Sequence, residues 1–114
     1  MLDLLAPPEE VPTLPADRPL DEVFKTRSHV RVLRVLALVA ERVNLSARDV
    51  ARRAEISAPR AMVVLRELER AGVIMAARSP GVAIWRLDEE CRLTSVVRAA
   101  FERERALSSD LTGA

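Results

Sequence analysis

Two helix-start signals follow one another between Ser46 and Ser57, and they restrict the fold more than any other feature of the sequence. Ser46 with Asp49 three residues on has the pattern of a capping box, in which a hydroxyl and a carboxylate satisfy the free N–H groups of a new helix. The pattern predicts a helix to about Ala54. Glu55-Ile56-Ser57 then interrupts it. Ser57 caps a further helix with Pro59 in its first turn, where a missing N–H costs little, and that helix runs to about Ala71 and stops at Gly72. Ala61, Val64, Leu65 and Leu68 form its inward stripe. Two short helices joined by a three-residue turn are the arrangement that sets the second helix into a DNA major groove.

The flanking segments complete the pattern. Upstream, Leu20 to Phe24 predicts a short helical lead-in, and a helix from Ser28 to about Val43 carries Val32, Leu33, Leu36, Ala40 and Val43 on one face. Val35, Leu38 and Val39 lie on its other side, so both sides need cover. Downstream, Val73 to Ala77 and Val82 to Leu87 are β-prone, and Arg78-Ser79-Pro80-Gly81 between them supplies the turn of a hairpin, a wing at about 74–87. A last helix begins near Leu93, with Leu93, Val96, Val97, Ala100 and Phe101 on one side. The expected fold is mostly α with a small β-hairpin: a winged helix-turn-helix with an extra C-terminal helix, over residues 20–106. Five of the seven prolines fall in residues 1–19, which read as a flexible, acidic, Pro-rich tail, and residues 107–114 read as a disordered end.

A net charge of +1 hides a strong division along the chain: residues 1–24 sum to −5, residues 25–88 to +7 and residues 89–114 to −1. All but one of the eighteen bases are arginine, which suits phosphate recognition and equally reflects a GC-rich genome. The single cysteine, Cys91, excludes an intrachain disulfide and a thiol-rich metal site, and reads as a packing residue. With no long apolar run and no secretory start, a reducing cytoplasm is the expected location and no membrane contact is expected. His29, the only histidine, has no nucleophile at a meaningful spacing and reads as a helix-start side chain. No Gly-rich phosphate loop occurs. Neither enzyme activity nor a cofactor or metal is expected.

Arg27 to Leu36, Val50 to Leu68, Ala71-Gly72-Val73 and Trp85-Arg86-Leu87 together resemble the ArsR-like and MarR-like winged-helix regulators, over about residues 24–104. The resemblance is closest to the winged-helix modules found beside minimal nucleotidyltransferases, although the Gly-Ser and paired-Asp motif of those enzymes is absent. It implies a transcriptional regulator that binds double-stranded DNA sequence-specifically as a homodimer. The DNA-binding roles it implies fall on Arg48 and Arg52 in the second helix, on Ser57, Pro59, Arg60, Met62, Val63 and Arg66 in the recognition helix of about 57–71, and on Arg78 and Ser79 at the wing tip. Arg60 and Arg78 rank first. Dimerisation is expected through Val35, Leu38, Val39, Val97 and Phe101. Family members usually have Gly where this chain has Glu55, which implies a reshaped turn. Single arginines read equally as a solvated helix face, Arg70 as an intrahelical partner of Glu67, and the apolar pair Met62-Val63 either as a contact for thymine methyl groups or as a surface for protein. A protein-docking module, or an accessory subunit of a nucleotidyltransferase or toxin-like enzyme, is the rival reading.

Overall fold

Each of the three central helices starts on a hydroxyl side chain. In the computed structural model, which describes residues 18–111, the elements are α1 (Pro19–Val23), α2 (Arg27–Leu38), α3 (Ala47–Ala54), α4 (Ala58–Arg70), β1 (Ile74–Ser79), β2 (Val82–Leu87) and α5 (Leu93–Leu111). Thr26, Ser46 and Ser57 accept from the backbone N–H of His29, Asp49 and Arg60, and at α3 the Asp49 carboxylate returns the bond to the Ser46 N–H, closing the capping box. The fold class is the expected one. Of the expected tail, residues 1–19, residues 1–17 lie outside the described residues, and Pro19 opens α1 instead.

α3 and α4 end on the same motif with different residues. In α4 the Val73 N–H reaches back to the Leu68 carbonyl and the Gly72 N–H to that of Glu69, with Gly72 at φ 88°. In α3 the Ile56 N–H reaches the Ala51 carbonyl and the Glu55 N–H that of Arg52, with Glu55 at φ 61° and ψ 44°. Both are Schellman ends, which require a left-handed residue at one position. The turn is therefore not reshaped around Glu55; Glu55 itself adopts the left-handed conformation. Arg31 of α2 steadies it by donating to the carbonyls of Ala54 (3.3 Å) and Glu55 (3.4 Å).

α2 is the central element, touching α3, α4, α5 and β2. Val32, Leu33 and Leu36 are fully buried, and Val35 and Ala37 nearly so, which meets the expectation of a helix covered on both sides. It is shorter than expected: at Val39 the chain leaves the helix in a turn, with the N–H groups of Arg42 and Val43 both on the Val39 carbonyl, and Val43 is exposed. The cover on the second side comes from this chain's own α5. Val97 and Phe101 are buried in the core, and the Phe101 ring meets that of Phe24 edge-on at 5.9 Å, while Arg34 lies over Phe101 and pairs with Glu104 through two bonds of 2.8 and 3.0 Å. Val96 and Ala100, expected on the same face, are exposed instead, because α5 turns Thr94, Val97 and Phe101 inward. α5 also continues to Leu111, past the end expected near residue 106.

β1 and β2 pair antiparallel from Ile74–Leu87 to Ser79–Val82, leaving Pro80-Gly81 as the turn, with Gly81 at φ 82°. Proline followed by a residue with positive φ is the signature of a type II turn. The wing is anchored by Trp85, which is buried and donates its backbone N–H to Leu45 ahead of α3.

The paired helix ends generate a test. A non-glycine residue in the left-handed region costs about 1 kcal/mol. Glu55→Gly is expected to stabilise the protein by roughly that amount and Gly72→Ala to destabilise it by at least as much, both measured as shifts of the thermal unfolding midpoint.

Candidate nucleic-acid interface

The period of α4 sorts its side chains into two sets. Ala61, Val64, Leu65 and Leu68 are fully buried, as the apolar spacing requires, which leaves Ser57, Pro59, Val63, Arg66 and Arg70 exposed. Val63 is 45% exposed, whereas Met62 is half-buried against the core. Of the expected apolar pair, Val63 is exposed and Met62 is not. Among the described residues neither Arg66 nor Arg70 makes a hydrogen bond or an ion pair. The Glu67 that was the expected intrahelical partner of Arg70 is engaged elsewhere. On α3, Arg48 is exposed and equally unpaired among the described residues, while Arg52 pairs with Asp49 at 3.3 Å. The capping-box bonds from Ser46 hold the Asp49 carboxyl below its usual range, with Arg52 adding to the effect.

The two arginines ranked first are both occupied. Arg60 is half-buried and donates from Nη2 to the Thr26 hydroxyl at 3.2 Å, so it leans toward the start of α2 rather than standing free on the outward face. Arg78 is turned onto α4: both its terminal nitrogens bond the Glu69 carboxylate, at 2.9 and 3.0 Å, and its guanidinium lies 5.5 Å from the centre of the Trp85 ring. The fork expected on DNA is closed on α4. Ser79 remains exposed beside the turn. Arg78 holds the Glu69 carboxyl below the ordinary glutamate range, and Glu69 in turn raises Arg78 further.

His29 is the residue that sequence reading undervalued. It is 1% exposed and bridges two elements, with Nδ1 2.7 Å from the Thr26 hydroxyl and Nε2 2.8 Å from the Glu67 carboxylate of α4. The His29 bond holds Glu67 below the ordinary glutamate range against the opposing effect of burial, and the nearby Lys25 and Arg60 charges add to it. A Thr three residues before a His was visible in the sequence; the partner on α4 was not. Of the expected dimerisation set, Val35, Val97 and Phe101 are buried within the single chain, and Leu38 and Val39 are half-buried. No group of three or more His, Cys, Asp or Glu side chains among the described residues could hold a metal ion, and no described helix is long and apolar enough to cross a membrane.

Residues 26–83 match a family model described as the MarR family. A similar fold occurs in the crystal structure of MepR, a transcription regulator of the Staphylococcus aureus multidrug efflux pump MepA: the TM-score is 0.57 at 23% identity, over 83% of this chain and 72% of that one. No curated protein matches the sequence. The MarR-like part of the expected resemblance is met, whereas the ArsR-like part and the link to nucleotidyltransferases find no support in these matches.

Glu67 and Glu69 both titrate below the ordinary glutamate range in the fold, so each contributes stability that is present above the unfolded-state value and lost as pH falls through the folded one. Denaturant midpoints are expected to fall toward acid pH, and a Glu67→Gln, Glu69→Gln double variant should show a shallower fall. An equal fall in both proteins would remove this attribution.

Proposed function

The chain belongs to the MarR family of DNA-binding transcription regulators, and on that premise we propose that it acts as a homodimer on a two-fold-related site, with α4 in the major groove of double-stranded DNA. The observation that carries this reading is the outward row of α4, where Pro59, Val63, Arg66 and Arg70 are exposed and both arginines are unpaired among the described residues. A recognition helix needs such a row: cations for phosphate and a small side chain that base edges can approach. Arg66, Arg70 and Arg48 take phosphates, Val63 meets a thymine methyl group, and Arg60, at the N-terminal end of α4, offers its fork to guanine. Arg52 reaches the backbone after parting from Asp49, Ser57 and Pro59 bring the start of α4 close, and Ser79 with the wing turn approaches flanking DNA. Arg78 is the wing's clamp on α4 rather than a DNA contact.

The second copy is assigned to α5. Val96, Ala100 and Leu107 lie along one exposed stripe of that helix, with Val96 at 46% and Leu107 at 47% exposure. They replace Val97 and Phe101, which the protomer's own core uses. Leu38 and Val39, half-buried at the end of α2, stay in the proposed interface. Such a regulator works on DNA in the cytoplasm and needs no catalysis.

Light scattering is expected to give twice the 12.6 kDa chain mass, and Val96→Asp with Leu107→Asp to return it to one. A monomer from the unaltered chain would sink the dimer. In gel shifts, affinity for random duplex DNA should fall steeply with salt, and Arg66→Ala and Arg70→Ala should each weaken all sequences about equally. Arg60→Ala should cost roughly 1–3 kcal/mol on a selected site only. Absence of any duplex binding at low salt would remove the proposal.

A further inference from the structure

Thr26, the residue that caps α2, is surrounded by more hydrogen-bonding partners than a cap requires. Its Oγ1 lies 3.3 Å from the His29 backbone N–H and 3.2 Å from Nη2 of Arg60, and both of these groups are donors only. A hydroxyl oxygen has two lone pairs, so these two donors fill its accepting capacity. What remains is its own proton, and the one neighbour left to receive it is Nδ1 of His29 at 2.7 Å. Nδ1 must then be unprotonated. The neutral imidazole therefore carries its proton on Nε2, which donates to the Glu67 carboxylate at 2.8 Å. Every donor in the chain from Arg60 through Thr26 and His29 to Glu67 finds one acceptor.

We propose that Thr26 is a specificity-determining positioning residue, whose hydroxyl, kept open as an acceptor by the neutral Nε2–H form of His29, aims the Arg60 guanidinium at a base. The inference rests on the reading that α4 docks on DNA, and it deepens that reading by placing a control of base choice outside the recognition helix. A free arginine samples many rotamers and loses that freedom on binding. Arg60 is held before DNA arrives. One of its five N–H donors is engaged by Thr26, and the rest of the planar fork stays available for bidentate contact. Arg60 makes no hydrogen bond to Glu67, although their charges attract; Glu67 spends its Oε1 on His29, which is buried at 1% exposure between the two helices. Arg66 and Arg70, with no such hold among the described residues, are suited to phosphates, where a flexible point of charge suffices.

The test is selection of bound sequences from a random duplex pool by the full chain, run with the unaltered protein and with Arg60→Ala, Thr26→Val, Thr26→Gly and Thr26→Ser. Glycine is tolerated at a helix N-cap with little loss, so Thr26→Gly keeps the experiment informative if Thr26→Val fails to fold. The expected result is that Thr26→Val and Thr26→Gly lose about tenfold discrimination at the same base positions as Arg60→Ala. Their low-salt affinity for unselected DNA should stay within about twofold of the unaltered protein, and Thr26→Ser, which restores the hydroxyl, should recover the original preference. A preference retained by the Thr26 variants and lost by Arg60→Ala overturns the proposal and leaves the DNA reading intact, since Arg60 would then act unaided. So does a Thr26→Ser protein that behaves like Thr26→Gly, or an Arg60→Ala protein with unchanged preference. Failure of the unaltered protein to bind any duplex overturns the DNA reading itself.

Discussion

α2 has almost no face to give to water, and the position of every other element follows from that. With Val32, Leu33 and Leu36 sealed and Val35 and Ala37 nearly so, apolar side chains occupy most of its circumference. Hydrophobic burial is non-directional, so it demands cover without specifying which cover. The polar side chains of α2 supply the direction. Arg31 fixes the end of α3 by its carbonyls, His29 fixes α4 through Glu67, and Arg34 fixes α5 through Glu104. One helix thus drives the assembly by its apolar surface and sets its register by three polar ones.

The arginines divide into those the fold consumes and those it leaves for a ligand. Arg31, Arg34, Arg78 and Arg98 are spent inside the molecule, the last on Glu89 and Glu41. Among the described residues Arg48, Arg53, Arg66 and Arg70 are left over on α3 and α4. The thirteen bases between residues 25 and 88 therefore overstate the number of free cations a polyanion would meet. Surface pairs such as Arg78 with Glu69 are worth little as stability, but they decide which guanidinium groups are free.

What could be read from the sequence was local, and what could not was distant along the chain. The Ser46–Asp49 box, the Ser57 cap, the stop at Gly72 and the Pro80-Gly81 turn depend on residues within a turn of one another, and each is where spacing placed it. The stripe of α4 followed from its period. Position alone makes Arg60 and Arg78 exposed cations, yet their partners Thr26 and Glu69 belong to other elements, and no periodicity reports such a pairing. His29 looked ordinary because its acid partner is thirty-eight residues away. The face of α5 is illegible for a related reason: Val96 and Val97 are equally apolar, and the helix rotates to place Phe101 against Phe24 and α2.

α5 outlasts the surface it packs on. After Phe101 every described side chain along it is exposed, although Arg34 still holds Glu104. Isolated helical segments of this length are marginal in water, because nucleation and backbone ordering outweigh a few hydrogen bonds. The distal half of α5 therefore borrows its order from whatever lies alongside. If that neighbour is a second copy, helix content becomes a function of protein concentration, and dilution unwinds the end of the chain before it disturbs the winged domain.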